Sequence, residues 1–211
     1  AKQLGLIYLD TGAMYRAVTW FIQKENVNPD DEKELVKALS NLNVDINLAN
    51  SGIQHVMLND QEISNEIRHP KVTAAVSKIA SKAAVREKLT AQQKIIGLKG
   101  GIVAEGRDIG STVFPDAELK VFLTASSGER ARRRANDLIN QGFSVPNLQE
   151  LENEIQERDK IDSTREIAPL VKAKDAKELV TDGMTIDKVI DTLIRMFREE
   201  IPAEVWPSNQ L

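Results

Sequence analysis

The sequence predicts an α/β fold, a parallel sheet covered by helices, with a small antiparallel β insertion. Two observations predict it. Short apolar segments end in polar turns and give way to helical stretches, the alternation of a parallel sheet. In the first half, three short alternating segments sit close together with hairpin residues between them.

The opening Ala1-Lys2-Gln3-Leu4-Gly5 has no initiator Met and reads as the last turn of a helix, with Gly5 suited to its C-terminal cap. An upstream segment is therefore expected. Leu6 to Leu9 is a strand that ends at Asp10-Thr11-Gly12, where a helix starts and runs towards Gln23. Asp31 to Leu42 has helical spacing. Val44 to Leu48, Gln54 to Leu58 and Gln61 to Ile63 then alternate, broken at Asn50-Ser51-Gly52 and Asn59-Asp60. From Pro70 to Ile96 the period is helical, with Val72, Val76, Ile79 and Ala83 in one stripe and a glycine-rich stop at Gly97 to Gly101. Ile102 to Ala104 is a buried strand ending in Glu105-Gly106-Arg107-Asp108, and Leu119 to Leu123 another, ending in Thr124-Ala125-Ser126-Ser127. Helices follow at Glu129 to Gln141 and Leu148 to about Thr164, then a strand Glu178 to Thr181 and a last helix Ile186 to Glu200.

The length suits one core with an inserted lobe, and 41% hydrophobic against 28% charged residues is too apolar for wholesale disorder. A net charge of -4 argues against a nucleic-acid or anionic-membrane surface, so an anionic ligand has to be met by local arginines. No cysteine is present for a disulfide or thiolate site. No apolar run nears the roughly 20 residues of a membrane span and no signal segment opens the chain, so the expected location is cytoplasmic. His55 and His69, the two histidines, are too far apart in sequence to suggest a metal cluster.

In open α/β sheets ligands bind beyond the carboxyl ends of the strands, which places Asp10-Thr11-Gly12, Gly106-Arg107-Asp108 and Ser126-Ser127 around one crevice. The strongest local signal is Arg158-Asp159-Lys160-Ile161-Asp162-Ser163-Thr164-Arg165. On an ideal helix Arg158, Asp162 and Arg165 fall within about 60 degrees of one another, so two guanidiniums flank one carboxylate. Guanidiniums hold phosphate oxygens bidentately and a carboxylate accepts ribose hydroxyls, although a solvated helix with internal ion pairs reads the same way. Arg16, Arg86 and Arg107 sit at or just after these turns; singly each also fits a surface charge. Arg130, Arg132, Arg133 and Arg134 form a basic helix face that reaches a second phosphate group or is merely solvated. Trp20 and Trp206 read as packing groups. Ser77 and Arg86 lie nine positions apart, about 900 degrees of an unbroken helix, and so on opposite sides. If both touch one ligand, the helix must break around Lys82 to Val85.

Asp10-Thr11-Gly12-Ala13-Met14-Tyr15-Arg16, Glu105-Gly106-Arg107-Asp108-Ile109-Gly110, Val113-Phe114-Pro115-Asp116-Ala117 and Glu157-Arg158-Asp159 through Arg165, in this order, resemble the bacterial cytidylate kinases over nearly the whole chain. The resemblance implies a P-loop nucleoside monophosphate kinase core at 1–26 and 97–201, with a helical lid at about 142–170. A nucleotide-binding lobe at 27–96 would hold the β insertion at about 43–64, and 202–211 would be a tail. It implies transfer of the ATP γ-phosphoryl group to CMP or dCMP with Mg2+, and a monomer. By similarity Ser77, Arg86 and Asp108 would read the cytosine edge, and Arg16, Arg107 and Arg165 would grip the acceptor phosphate. Asp162 and Arg158 would hold the sugar, Thr11 and Asp10 would complete the phosphate and magnesium surroundings, and Arg130 and Arg134 would face the donor nucleotide. No metal ligand set is assigned.

The sequence departs from the family in two places. The family's glycine-rich loop ending in Gly-Lys-Ser/Thr is not among the 211 residues, so the chain is expected to bind CMP without transferring phosphate at a useful rate. Asp182 is followed by Gly183 where the family usually has a hydroxyl, which touches the donor base. Competing readings are a UMP or AMP kinase, and a non-catalytic nucleotide-binding domain of a longer protein, since cyanobacterial members are fused to a pantoate ligase.

Overall fold

A computed structural model of the chain describes residues 1–48 and 54–206. Lys2–Leu4 forms a 3-10 turn rather than the end of an α-helix, closed by Gly5 in the left-handed region (φ 66°) as its cap position demands. Strand β1 (Ile7–Asp10) leads into α1 (Thr11–Lys24), whose first turn is capped by the Asp10 carboxylate accepting from Ala13 N at 2.9 Å. One face of α1 is the centre of the core: Met14, Ala17, Val18 and Ile22 are buried there.

Helix α2 (Glu32–Ser40) is capped by Asp31 and sends Leu35 and Leu39 inward. Strands β2 (Val44–Leu48), β3 (Gln54–Leu58) and β4 (Gln61–Glu62) form the expected antiparallel sheet, with Val44 opposite Leu58 and Ile46 opposite Val56. Asn59 and Asp60 both take positive φ (45° and 66°), which is why these residue types mark the β3–β4 turn. The Asn50-Ser51-Gly52 turn lies outside the described residues. Val44, Val56, Leu58 and Ile63 join the core beneath α1.

The long helical stretch is two helices, α3 (Pro70–Ala80) and α4 (Ala83–Gly97). The break falls at Ser81-Lys82, where Lys82 is extended (ψ 129°), at the edge of the Lys82 to Val85 span where one is expected if Ser77 and Arg86 touch one ligand. Nothing in the apolar stripe forbids a single helix, so periodicity alone does not reveal the break.

Strand β5 (Ile102–Glu105) runs parallel to β1, with Asp10 beside Glu105. A single π-helical turn, Ile109–Val113, follows it. Strands β6 (Val121–Thr124) and β7 (Lys177–Val180) make a second parallel pair. Among the described residues no ladder joins β5 to β6, so the parallel sheet is present as two separate pairs. Helices α5 (Ser127–Asn140) and α6 (Leu148–Thr164) pack through a small core of Ala131, Ala135, Leu138 and Leu151. No residue of α7 (Ile186–Glu200) is fully buried, although its apolar side carries Phe197 against Trp206 at a ring separation of 6.0 Å. Trp206 Nε1 donates to Ile201 O, which holds the tail back on α7 as far as it is described. Among the described residues no helix is long and apolar enough to cross a membrane.

Candidate functional site

The helix break brings α4's first turn against the turn after β5. Arg86 donates through Nη1 to the Ala80 carbonyl at 3.1 Å, one of those that the end of α3 leaves without a helical partner, and through Nη2 to Asp108 Oδ2. Its guanidinium also lies 5.3 Å from the centre of the Tyr15 ring. Asp108 reaches the site because β5 ends at Glu105 and the chain turns at Gly106. A Cβ there would strike Thr11 Oγ1 and come within 2.8 Å of the Ile109 side chain, so the turn packs against α1 only with glycine.

Asp108 Oδ1 accepts from Arg165 Nη2 at 3.3 Å, and Arg165 Nη1 lies 3.5 Å from Asp162 Oδ1. Asp162 Oδ2 accepts from Arg107 Nε at 3.2 Å and lies 3.8 Å from Arg158 Nε. The chain Arg86, Asp108, Arg165, Asp162 thus runs from α4 to the end of α6, with Arg107 and Arg158 attached. Four guanidiniums face two carboxylates, and the cluster keeps excess positive charge. Arg86, Asp108 and Asp162 are all buried to 3% exposure or less. Burial, followed by the charge of Arg107, lowers the pKa of Arg158 to about 10. Burial and the charge of Arg86 act in the same direction on Arg165. Both stay protonated at neutral pH.

Three polar atoms here have no hydrogen-bond partner among the described residues: Ser77 Oγ, Arg86 Nε and Arg158 Nε. Ser77, 6% exposed, stands on the last turn of α3, the same turn whose Ala80 carbonyl binds Arg86. A buried hydroxyl left unpaired is unfavourable by about 1–3 kcal/mol, and a ligand edge presenting a donor or acceptor removes that penalty.

A cavity of about 400 Å3 is lined by Asp10, Arg16, Arg68 and Arg134 among others. Arg16 donates to Thr73 Oγ1 at 2.7 Å and to Ile67 O at 3.4 Å. Burial and the like charges of Arg134, Arg107 and Arg68 all depress its pKa. Thr11 donates its hydroxyl to Glu105 O at 2.6 Å and so ties α1 to β5.

The structure therefore gathers Ser77, Arg86, Asp108, Arg107, Asp162, Arg158 and Arg165 at one place and Asp10, Arg16 and Arg134 at its neighbour. Arg130 stands apart, spent in a bidentate pair with Asp159 that joins α5 to α6. The Ser126-Ser127 turn is likewise engaged within the protein: Ser126 bonds Asp182 through its N and Oγ, and Ser127 Oγ donates to Glu152 at 2.6 Å. Of the basic face of α5, Arg132 and Arg133 are held by Glu129. Arg68 and Asp159 escape sequence reasoning. Arg68 sits in a three-residue 3-10 turn with no periodicity, and its position just before His69-Pro70 at the start of α3 is the one signal it offers.

A family model described as cytidylate kinase matches residues 1–199. Two strains of Prochlorococcus marinus have proteins described as bifunctional pantoate ligase/cytidylate kinase that are similar to the chain. One is 62% identical over 209 residues, the other 58% over 208, and each match covers 99% of the chain. A Synechococcus protein of the same description is 56% identical over 210 residues, 100% of the chain. The chain spans 40%, 41% and 44% of the length of these three relatives.

Proposed function

The chain belongs to the cytidylate kinase family, and from that premise we propose that it serves the transfer of the ATP γ-phosphoryl group to CMP or dCMP, giving CDP or dCDP. The observation that carries the reading is the Ser77 hydroxyl, without a hydrogen-bond partner among the described residues, on the turn of α3 whose Ala80 carbonyl anchors the buried Arg86–Asp108 pair. Cytosine offers a carbonyl and a ring nitrogen that accept and an amino group that donates, so a guanidinium, a hydroxyl and a carboxylate together complement it. Uracil would turn a second carbonyl towards Asp108, two acceptors facing each other.

In the transfer, an oxygen of the acceptor phosphate attacks the γ-phosphorus in line, the bond to the β–γ bridging oxygen breaks, and ADP leaves. Arg107, Arg165 and Arg16 neutralise the acceptor phosphate and the charge spread over the moving group. Asp162 and Arg158 hold the sugar. Asp162 takes one hydrogen bond, from Arg107 Nε, and meets Arg165 and Arg158 at 3.5 and 3.8 Å, so its carboxylate keeps acceptor capacity for a sugar hydroxyl. Mg2+ is implied by the family. Ion of this kind is held largely by phosphates and water, and Asp10 has the oxygen Oδ2 outside its capping bond to contribute. When bound it neutralises phosphate charge. Arg134 faces the Arg16 cavity and Arg130 is paired on the lid, so neither stands ready for the donor nucleotide as arranged here.

The curated relatives carry two activities in one polypeptide by their description, and we read this chain as the kinase portion of such a protein. The 211 residues include no Gly-Lys-Ser/Thr run, so these residues by themselves are expected to bind CMP and to transfer phosphate slowly. An ADP-release assay on the full-length protein with CMP, dCMP, UMP and AMP as acceptors tests the main reading. A preference for the two cytidylates supports it, and equal rates with UMP or AMP would overturn it. Selective CMP binding with no ADP release would instead favour the non-catalytic alternative.

A further inference from the structure

Arginines that converge on one space repel one another, and an anion among them relieves that repulsion. Around the cavity of about 400 Å3 they do so from three separate elements: Arg16 on α1, Arg68 on the 3-10 turn before α3, and Arg134 on α5. The side chains of Arg68 and Arg134 form no hydrogen bond or ion pair among the described residues, and both bonds of Arg16 go to neutral oxygens. The one carboxylate on the wall among the described residues, Asp10, already caps α1 through Oδ1. Nearby Glu105 takes a hydrogen bond from Tyr8 at 2.5 Å. Protein carboxylates therefore do not balance the arginines.

We propose that Arg68 and Arg134, together with Arg16, bind the phosphate of the acceptor nucleotide in this cavity, which makes Arg134 an acceptor-side residue. This deepens the monophosphate reading above and rests on it. A phosphate dianion presents three oxygens, and guanidiniums from three elements can each take a bidentate or single charge-assisted bond. Gln54 and Ser64, from the small antiparallel sheet and the residues after it, complete the wall, so the insertion helps to enclose the same group. The geometry also gives the lobe before α3 and the helix leading to the lid one common ligand. Binding of the phosphate draws both towards α1.

Titration calorimetry of the full-length protein with CMP and with cytidine, for the parent and the Arg68→Gln, Arg68→Lys, Arg134→Gln and Arg195→Gln variants, tests this. Arg195 is exposed on α7, far along the chain from the cavity, and serves as the control. The expected result is that each Gln variant loses about tenfold or more in CMP affinity, keeps its affinity for cytidine, and recovers partly with Lys at position 68. Unchanged CMP affinity in both Gln variants overturns the proposal, as does an equal loss for CMP and cytidine, which would mark a structural role. If inorganic phosphate binding falls in the variants while CMP binding does not, the cavity holds an anion other than the acceptor phosphate, and the proposal fails. Should the parent prefer UMP to CMP, the cytidylate reading fails by itself, and the UMP and uridine pair then decides the role of Arg68 and Arg134.

Discussion

Arg86 and Asp108, 22 positions apart in the chain, meet as a buried ion pair whose side chains are 3% and 4% exposed. Such a pair is held by its geometry, because each ion has given up its hydration. Removing one partner leaves the other charged and unsolvated. Arg86→Ala is expected to lower stability by about 3–5 kcal/mol and to abolish CMP binding. The double variant Arg86→Met, Asp108→Leu is expected to regain most of the stability and none of the binding. Chemical denaturation and calorimetry on the same samples check this; recovery of CMP binding in the double variant would rule the pair out of base recognition.

Ser77 separates stability from binding in the opposite way. Its hydroxyl has no hydrogen-bond partner among the described residues, so Ser77→Ala removes an unfavourable buried group and leaves the fold as stable or slightly more stable. If the hydroxyl waits for the base, CMP affinity falls by about 1 kcal/mol, or roughly fivefold. A variant that is destabilised and binds CMP normally would show that Ser77 is merely structural.

How far such a site is legible in the sequence depends on how local its causes are. The limits of α6 and α7 follow from their caps and periodicity, with Asn147 and Thr185 capping where the pattern starts. The alternating residues of β2 and β3 and the Asn59-Asp60 turn are equally local. Helical spacing places Arg158 and Asp162 on one face, while Arg165, read as part of the same helix, is the extended residue that ends α6 and still meets Asp162 at 3.5 Å. What stays hidden is set by tertiary partners. Arg130 looks like its neighbours on α5 until Asp159 packs beside it. The turn at Ile109–Val113 takes π-helical form through bonds of Val113 N and Phe114 N to Asp108 O and Ile109 O, which no residue pattern announces. The separation of the parallel strands into two pairs is a matter of which edges meet, and each strand reads alike in either arrangement.

Gly106 tests the packing that carries Asp108 to the site. A methyl group at this position collides with Thr11 Oγ1 and the Ile109 side chain, so either the Thr11 bond to Glu105 O breaks or the turn moves. Gly106→Ala is expected to destabilise the protein by about 1–3 kcal/mol and to weaken CMP binding along with it. Thermal melting with and without CMP measures both effects. An unaltered melting temperature would mean that the turn has room to shift.

Arg158 is a charge that folding works against. Burial and Arg107 lower its pKa from the ordinary guanidinium range to about 10. A base whose folded pKa is depressed binds its proton less tightly folded than unfolded, so at every pH below about 10 the charge opposes folding. The penalty is constant through the neutral range and is relieved only as pH rises past that value, where the folded state releases the proton first. Replacing the charge by an apolar chain of similar length removes the penalty. Arg158→Met is therefore expected to raise stability by about 1 kcal/mol, roughly 2–4 °C in Tm, with little dependence on pH between 6 and 8. It should also weaken CMP binding, since the same positive charge that strains the free protein attracts the nucleotide. A fall in Tm would show that the contact with Asp162 at 3.8 Å outweighs the burial of the guanidinium, and that the arginine is kept for the fold.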